Sequence, residues 1–298
     1  MTKAFCVAGH TFHVEMPDDS PVWPLMTQYN DFETAPVDDP LFVLATVAQV
    51  PEDGKAPLYV AEPEDEGQPR LDLFSCDAGC LVEMAPLSKL PPCARLLMSP
   101  DYRSGKLAFL KDSAGSMLFA VNNSLMLQFA FCSAPHMTLE MHSSVIMNGG
   151  KGYMFLGRSG TGKSTHSSLW LKYIEGSELM NDDNPVLRVG EDGVARVYGS
   201  PWSGKTPCYR NVSAPVGAIV RIRQAKHNTI TRLGTLESYA SVYSSSSGFK
   251  ADRGMADGQH RTLEAVVEKV PCYTLDCLPD EDAARVCAAE VRKQDADA

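Results

Sequence analysis

Eight residues near the middle of the chain, Gly157-Arg158-Ser159-Gly160-Thr161-Gly162-Lys163-Ser164, restrict its folding more than any other feature. They match the pattern G-x-x-x-x-G-K-[ST] at every fixed position. A strand-like apolar run, Gly152 to Leu156, leads in, and a helix-like run from about Gly162 to Tyr173 leads out. Glycines at these places let successive backbone N–H groups turn inward around an anion that a side chain would block. The following helix aims the positive end of its dipole at the same spot. Lys163 adds a mobile point charge, and Ser164 adds a small oxygen ligand of the kind magnesium takes beside phosphates. With Gly at about 7% of residues, a chain of this length shows the pattern by chance in roughly one case in a hundred. The segment Gly157 to Thr165 is therefore expected to hold a nucleoside triphosphate, ATP with magnesium.

The surrounding pattern predicts an α/β architecture. Thr138 to Met147 reads as a strand, Asn148-Gly149-Gly150-Lys151 as a tight hairpin turn, and Gly152 to Leu156 as the returning strand. Ser177 to Met180 reads as another strand, ending on Asn181-Asp182-Asp183-Asn184. Val186 to Val189 and Ala195 to Tyr198 make a second hairpin, and Ala218 to Ile222 is a buried strand. Helices are expected over about Gly258 to Lys269 and Pro279 to Arg292, with a short strand, Cys272 to Leu275, between them. The hairpin before the loop predicts a mixed sheet rather than a parallel one. Residues 1–135 read differently. Short apolar runs such as Leu41 to Val50, Leu58 to Ala61, Leu71 to Ser75 and Leu107 to Leu110 are broken by Pro, Gly and Asp. A helix is expected over Phe119 to Ser133, closed off by Pro135. This predicts a β-rich N-terminal domain, 1–135, and a nucleotide-binding domain, 136–298.

Composition narrows the function classes. The chain carries 27 basic and 37 acidic residues, a formal charge of −10, which argues against general nucleic-acid binding. No run approaches the roughly 18 uninterrupted apolar residues of a membrane-spanning helix, and the start is too quickly polar for a secretory signal. A cytoplasmic protein is expected. The nine cysteines include no C-x-x-C pair and read as reduced, buried thiols. His10 and His13 have no visible third ligand, so no metal is expected there. His166 is expected to be structural. The acid runs Glu62 to Glu66 and Asp280 to Asp282 read as solvated surface.

Asp182 and Asp183 fall where a strand end would face the phosphates. Two adjacent carboxylates are costly to place together unless a cation relieves them, and magnesium does so directly; a polar strand cap is the plainer alternative. In Pro201-Trp202-Ser203-Gly204-Lys205, with Arg210 close behind, the residues suit either a second phosphate clamp or acceptor flap, or a surface turn around a packed tryptophan. Arg221 and Arg223 alternate along a strand and so share a face. They either reach phosphate oxygens or edge the sheet.

Three of these segments together resemble one superfamily. Ser159 to Ser164 resembles the loop of ATP-dependent phosphoenolpyruvate carboxykinase and of HPr kinase/phosphorylase. Asn181-Asp182-Asp183 resembles the paired acids that follow that loop, and Met141-His142-Ser143 resembles the histidine-bearing strand of the HPr kinase group. The resemblance spans 138–190 well and says little about 1–135. It implies a P-loop kinase core of the carboxykinase/HPr kinase type. It further implies Lys163 on the β and γ phosphates, Ser164 and Asp183 on the metal, Asp182 as the base that deprotonates the acceptor, and His142 beside the transferring group, the plainer alternative for His142 being a strand histidine satisfied by hydrogen bonds. The Ile-Arg-Gly-x-Gly signature of HPr kinase/phosphorylase is missing after the acids, so HPr itself is not implied as substrate.

The expected activity is phosphoryl transfer from ATP to a hydroxyl acceptor, a protein or peptide serine or a small metabolite. A nucleotide-responsive binding protein without transfer is the alternative. The paired acids favour the first, because a sensor needs one metal ligand and no base beside it. Residues 1–135 are expected to contact the acceptor or another subunit of a homo-oligomer.

Overall fold

The computed structural model describes residues 1–51, 56–60, 68–204, 206–248 and 252–293. Backbone contacts divide the chain into two units, Met1–Ser133 and Ala134–Ala298.

In the first unit the described strands are β1 (Thr2–Val7), β2 (His10–Glu15), β3 (Glu33–Thr34), β4 (Val43–Val47), β5 (Ala56–Tyr59), β6 (Arg70–Cys76), β7 (Gly79–Ala85), β8 (Ala94–Met98) and β9 (Ser104–Phe109). They form one sheet in the order β3-β1-β2-β4-β9-β8-β7-β6-β5. β4 runs parallel to β2 and β9, and the other pairs are antiparallel. Helix α1 (Ala114–Ser133) starts five residues before its expected position. Its Phe129 meets Phe12 edge-on at 6.3 Å, and Phe12 stacks on Phe42 at 4.8 Å, so the helix closes one sheet face with aromatic rings. By length and composition Ala114–His136 is apolar enough to cross a membrane. The same length and composition suit a core helix, and Val121, Leu125 and Phe129 are fully buried. Of the expected strand Leu58 to Ala61, Ala61 lies outside the described residues.

The second unit contains β10 (Thr138–Glu140), β11 (Ser143–Asn148), β12 (Lys151–Leu156), α2 (Lys163–Tyr173), β13 (Glu178–Asp183), β14 (Val186–Val189), β15 (Ala195–Tyr198), β16 (Ser213–Gln224), β17 (Thr229–Arg232), α3 (Thr235–Tyr243), α4 (Arg253–Lys269), β18 (Cys272–Cys277) and α5 (Glu281–Val291). The strand order is β10-β14-β15-β16-β12-β11-β13, with β18 added beside β16 and β17 beside β18. The sheet is mixed, as expected: β16 is parallel to β12 and β18, and the remaining pairs are antiparallel. Both units are thus strand-rich members of the mixed α/β class.

The β11–β12 hairpin turns on Gly149 and Gly150, whose φ values of +57° and +76° are the left-handed pair that a two-residue turn requires. The Asn148 side chain donates to the Glu175 carbonyl at 2.9 Å and to Ser177 Oγ at 3.1 Å, tying the turn to the entry of β13. Helices α2 and α5 bury Trp170, Ile174, Ala284, Cys287 and Val291 against Ile146, Phe155, Val220 and Leu275 of the sheet. The acid run Asp280 to Asp282 begins α5: Asp280 caps it by accepting from Ala283 N at 3.0 Å, and Asn228 donates to both Asp280 and Asp282. The run therefore has a structural task beyond solvation. All nine cysteines are free thiols, six of them buried.

Candidate functional site

The glycine-rich loop leaves the end of β12 and enters α2. Gly160 and Gly162 adopt φ of +78° and +105°, conformations that a side chain strains. Thr161 closes the loop on itself, its N–H and hydroxyl both donating to the Arg158 carbonyl at 3.2 and 2.8 Å. Lys163, at the first helical position, is buried to 8% exposure. Its ammonium donates to the carbonyls of Gly157 at 3.0 Å and Arg158 at 3.4 Å, and to His142 Nε2 at 2.8 Å. Burial lowers its pKa, while the nearby charges of Asp183 and Asp182 oppose that shift.

His142 arrives by a break in the chain. The expected strand Thr138 to Met147 is two strands, β10 and β11. At the gap Met141 N donates to Pro185 O at 2.9 Å, and His142 N donates to Ser245 O at 2.7 Å. The imidazole is thereby released from the ladder and reaches both Lys163 and Asp183, with Nδ1 at 3.2 Å from Asp183 Oδ1. An ammonium offers only protons, so Nε2 is assigned as acceptor and Nδ1 as the N–H facing the carboxylate.

The paired acids lie inside β13 rather than beyond it. Asp182 stands opposite Ser144 and Asp183 opposite Ser143 on β11, so the two carboxylates leave on opposite faces. Ser164 Oγ donates to Asp182 Oδ1 at 2.9 Å. This differs from the expected grouping of Ser164 with Asp183. The alternation of faces separates the pair: Asp182 meets Ser164, while Asp183 turns to His142. Burial pushes the Asp183 carboxyl up, but the hydrogen bond from His142, with the Lys163 charge, outweighs it and holds the group below the usual range. Asp183 also has φ of +136°, a strained backbone for a residue with a Cβ.

Residues 200–204 buttress this strained end. Asn181 Nδ2 donates to the Trp202 carbonyl at 3.0 Å, Gly204 N donates to Asp182 O at 2.7 Å, and Ser203 Oγ donates to the same carbonyl at 3.0 Å. Trp202 is packed, 4% exposed. Lys205 lies outside the described residues. Arg210 does not approach the loop: its fork is taken by Leu179 O and Glu178 Oε2, each at 2.8 Å, at the other end of β13. Arg223 edges the sheet, bidentate to Asp276 at 2.8 Å on the neighbouring strand. Of Arg210, Arg221 and Arg223, Arg221 alone faces the site.

Two cavities flank the loop. One, of about 650 Å³, is lined by His142, Gly157, Arg158, Arg221 and residues of α3 and its end, Ser241, Ser244 and Ser245 among them. The other, of about 440 Å³, lies against Gly160 to Gly162 and Thr165, with largely apolar walls from Leu169, Ile222, Ala225, Leu278 and Pro279. His166 is structural: its Nε2 accepts from Trp170 Nε1 at 3.1 Å, and burial lowers its pKa to about 4, so it stays neutral. Helix α3 and its serines were not expected from the sequence. At nine residues α3 is shorter than the window over which helical periodicity becomes readable, and the Gly234/Glu237 start signal was the cue that could have found it.

Among the described residues no group of three or more His, Cys, Asp or Glu is arranged to hold a metal alone. Ser164 and Asp182 present adjacent hard oxygen donors beside the loop. That set suits magnesium, which binds through one or two protein oxygens and takes the rest from phosphates and water. In comparisons with known proteins, the chain matches no protein-family model and no curated protein.

Proposed function

We propose that this protein is an ATP- and magnesium-dependent kinase that transfers the γ-phosphoryl group to a hydroxyl acceptor, built on a P-loop core of the HPr kinase/carboxykinase type. The observation that carries the reading is a convergence. The loop, Lys163, the Ser164–Asp182 pair and the Asp183–His142 pair meet at one end of β11, β12 and β13. In this reading the backbone from Gly157 to Thr165 cradles the phosphates, and the apolar cavity beside Thr165 takes the nucleoside. The protons of Lys163 turn from the Gly157 and Arg158 carbonyls and His142 to phosphate oxygens. Ser164 and Asp182 hold magnesium, which supplies neutralisation of charge on the phosphate oxygens.

Asp183, ionised through the neutral range, orients the acceptor hydroxyl. It takes the hydroxyl proton as the new oxygen–phosphorus bond forms and the bond to the β,γ-bridging oxygen breaks. His142 holds the carboxylate in place through its Nδ1 proton. The roles of the two acids are thus the reverse of those that the family resemblance implies. A sensor that only switches affinity has no use for a strained, histidine-braced second carboxylate.

The deciding experiment pairs calorimetric ATP titration across a magnesium series with ATP turnover in the presence of cell extract. Lys163→Ala is expected to abolish tight magnesium–ATP binding in a folded protein. Asp182→Asn should raise the magnesium requirement. Asp183→Asn should keep binding and lose at least the roughly hundredfold that a general base contributes. Unchanged ATP affinity in Lys163→Ala would overturn the nucleotide site. Equal loss of magnesium-dependent binding in both acid variants would leave a metal site without a base.

A further inference from the structure

We propose that the 650 Å³ cavity beside Gly157 receives the phosphoryl acceptor, and that this acceptor is a small molecule carrying a carboxylate or phosphate as well as its hydroxyl. The proposal rests on the kinase reading above. Two guanidinium groups, Arg158 and Arg221, line this cavity, and among the described residues neither pairs with a carboxylate. All the hydrogen bonds of Arg221 go to neutral groups. These are Ser241 Oγ at 2.8 Å, Ser244 Oγ at 2.8 Å, Ser245 Oγ at 3.0 Å and the Ser241 carbonyl. Glu237, also on the cavity wall, accepts from Gly234 N at 3.1 Å and so serves the start of α3.

A half-buried guanidinium without a counter-charge is costly. Burial first, then repulsion from Arg158, lower the Arg221 pKa. A bound carboxylate or phosphate relieves both causes and matches the planar fork of arginine. The apolar cavity across the loop is the better place for a nucleoside, which leaves the polar one for the second substrate. Its volume lies within the range of small-molecule sites. His142 forms part of its wall and is braced to Asp183, so a hydroxyl on an anion held by the two arginines has the proton-accepting carboxylate near it. The transfer consumes only ATP and the acceptor: the hydroxyl oxygen gains the phosphoryl group, ADP leaves, and the proton passes through Asp183 to solvent.

The test uses the full chain saturated with magnesium and the non-hydrolysable analogue AMP-PNP, so that the γ-phosphate position is filled before any second ligand enters. D-glycerate, glycerol 3-phosphate and uncharged glycerol are then titrated calorimetrically. Saturable binding of at least one anion and none of glycerol is expected, and the two anions separate carboxylate from phosphate recognition. Arg221→Lys should weaken the anion by about tenfold or more but AMP-PNP by no more than about threefold, and Arg158→Gln, which lies in the nucleotide loop, should weaken the anion by a larger factor than AMP-PNP, since charge-assisted bidentate bonds are lost at the second site. Arg158 makes no side-chain hydrogen bond among the described residues, so its variant remains informative if the Arg221 variant misfolds. Absence of anion binding in protein that holds AMP-PNP would overturn the proposal and favour a protein segment as acceptor. Equal loss of anion and AMP-PNP would overturn it too, by assigning the arginines to the γ-phosphate. If AMP-PNP does not bind the unaltered protein, the kinase reading fails. Anion binding without nucleotide, removed by Arg158→Gln, would then leave an anion site that is no acceptor site.

Discussion

Asp183 holds a φ of +136° within a hydrogen-bonded strand, between a ladder partner, Ser143, and a bridge to Ser203. A residue with a Cβ pays about 1–3 kcal/mol for such a conformation, and it persists only where its surroundings over-determine it. Asp183→Gly and Asp183→Ala both remove the carboxylate, so their difference isolates the backbone. The glycine variant should be the more stable by about 1 kcal/mol in urea unfolding, and equal stability would mean that the strand end is relaxed. A second residue near the site carries a different cost. Glu140 is 2% exposed, its Oε2 has no hydrogen-bond partner among the described residues, and burial, with the nearby Asp183 charge, pushes its pKa up to about 8. Between the ordinary carboxylate range and pH 8 the folded chain therefore keeps a proton that the unfolded chain has lost. Stability should fall as pH rises through that window and level off above it. Glu140→Gln removes the titration. The melting temperature of the variant should exceed that of the unaltered protein by a margin that widens from pH 6 to pH 8; parallel pH profiles would show that Glu140 is ionised in the fold.

At the scale of elements, α2 has two tasks that conflict. Its first turn faces the loop and is polar, with Lys163, Ser164 and Thr165, so little of it is available for burial. Anchoring falls to the next turns. Trp170 is fully buried, with ring centroids 5.2 Å from Tyr153 and 5.6 Å from Phe155. The Ser167 hydroxyl pairs with Ser144 on β11 at 2.6 Å. Trp170→Ala should cost about 3–5 kcal/mol, measured by denaturant unfolding, because the rigid sheet beneath cannot collapse into the space. A loss below about 1 kcal/mol would mean that α2 is held by its loop and not by its core face.

For the whole molecule, the core under α2 and α5 is built from residues of the second unit alone. Residues 134–298 expressed by themselves should therefore fold and bind magnesium–ATP with the affinity of the full chain. A soluble, folded fragment that fails to bind would show that the first unit completes the site. Limited proteolysis is expected to cut between the units or within Glu62 to Gly67, a stretch outside the described residues. Much of this organisation is local in origin and was legible in the chain. The hairpin at Asn148 to Lys151, the strand–loop–helix passage through Gly157 to Ser164, and the hairpin of Val186 to Tyr198 are written in turn glycines and alternating apolar residues a few positions apart. What the sequence could not carry is any relation that depends on a partner far along the chain. His142 leaves its strand because Pro185 and Ser245 capture its neighbourhood. Ser164 meets Asp182 and not Asp183 because strand register assigns faces, and a shift of one residue would exchange them. Arg210 and Arg223, as suitable on paper as Arg221, are claimed by Glu178 and Asp276, while Arg221 is left facing the cavity. By itself the sequence determined residue types and short spacings, which backbone sterics and local hydrogen bonds translate directly into turns, caps and a glycine loop. The tertiary structure decided which of several equivalent charges and carboxylates face one another, because that follows from register and packing over separations of 18 to 53 residues that no local pattern encodes.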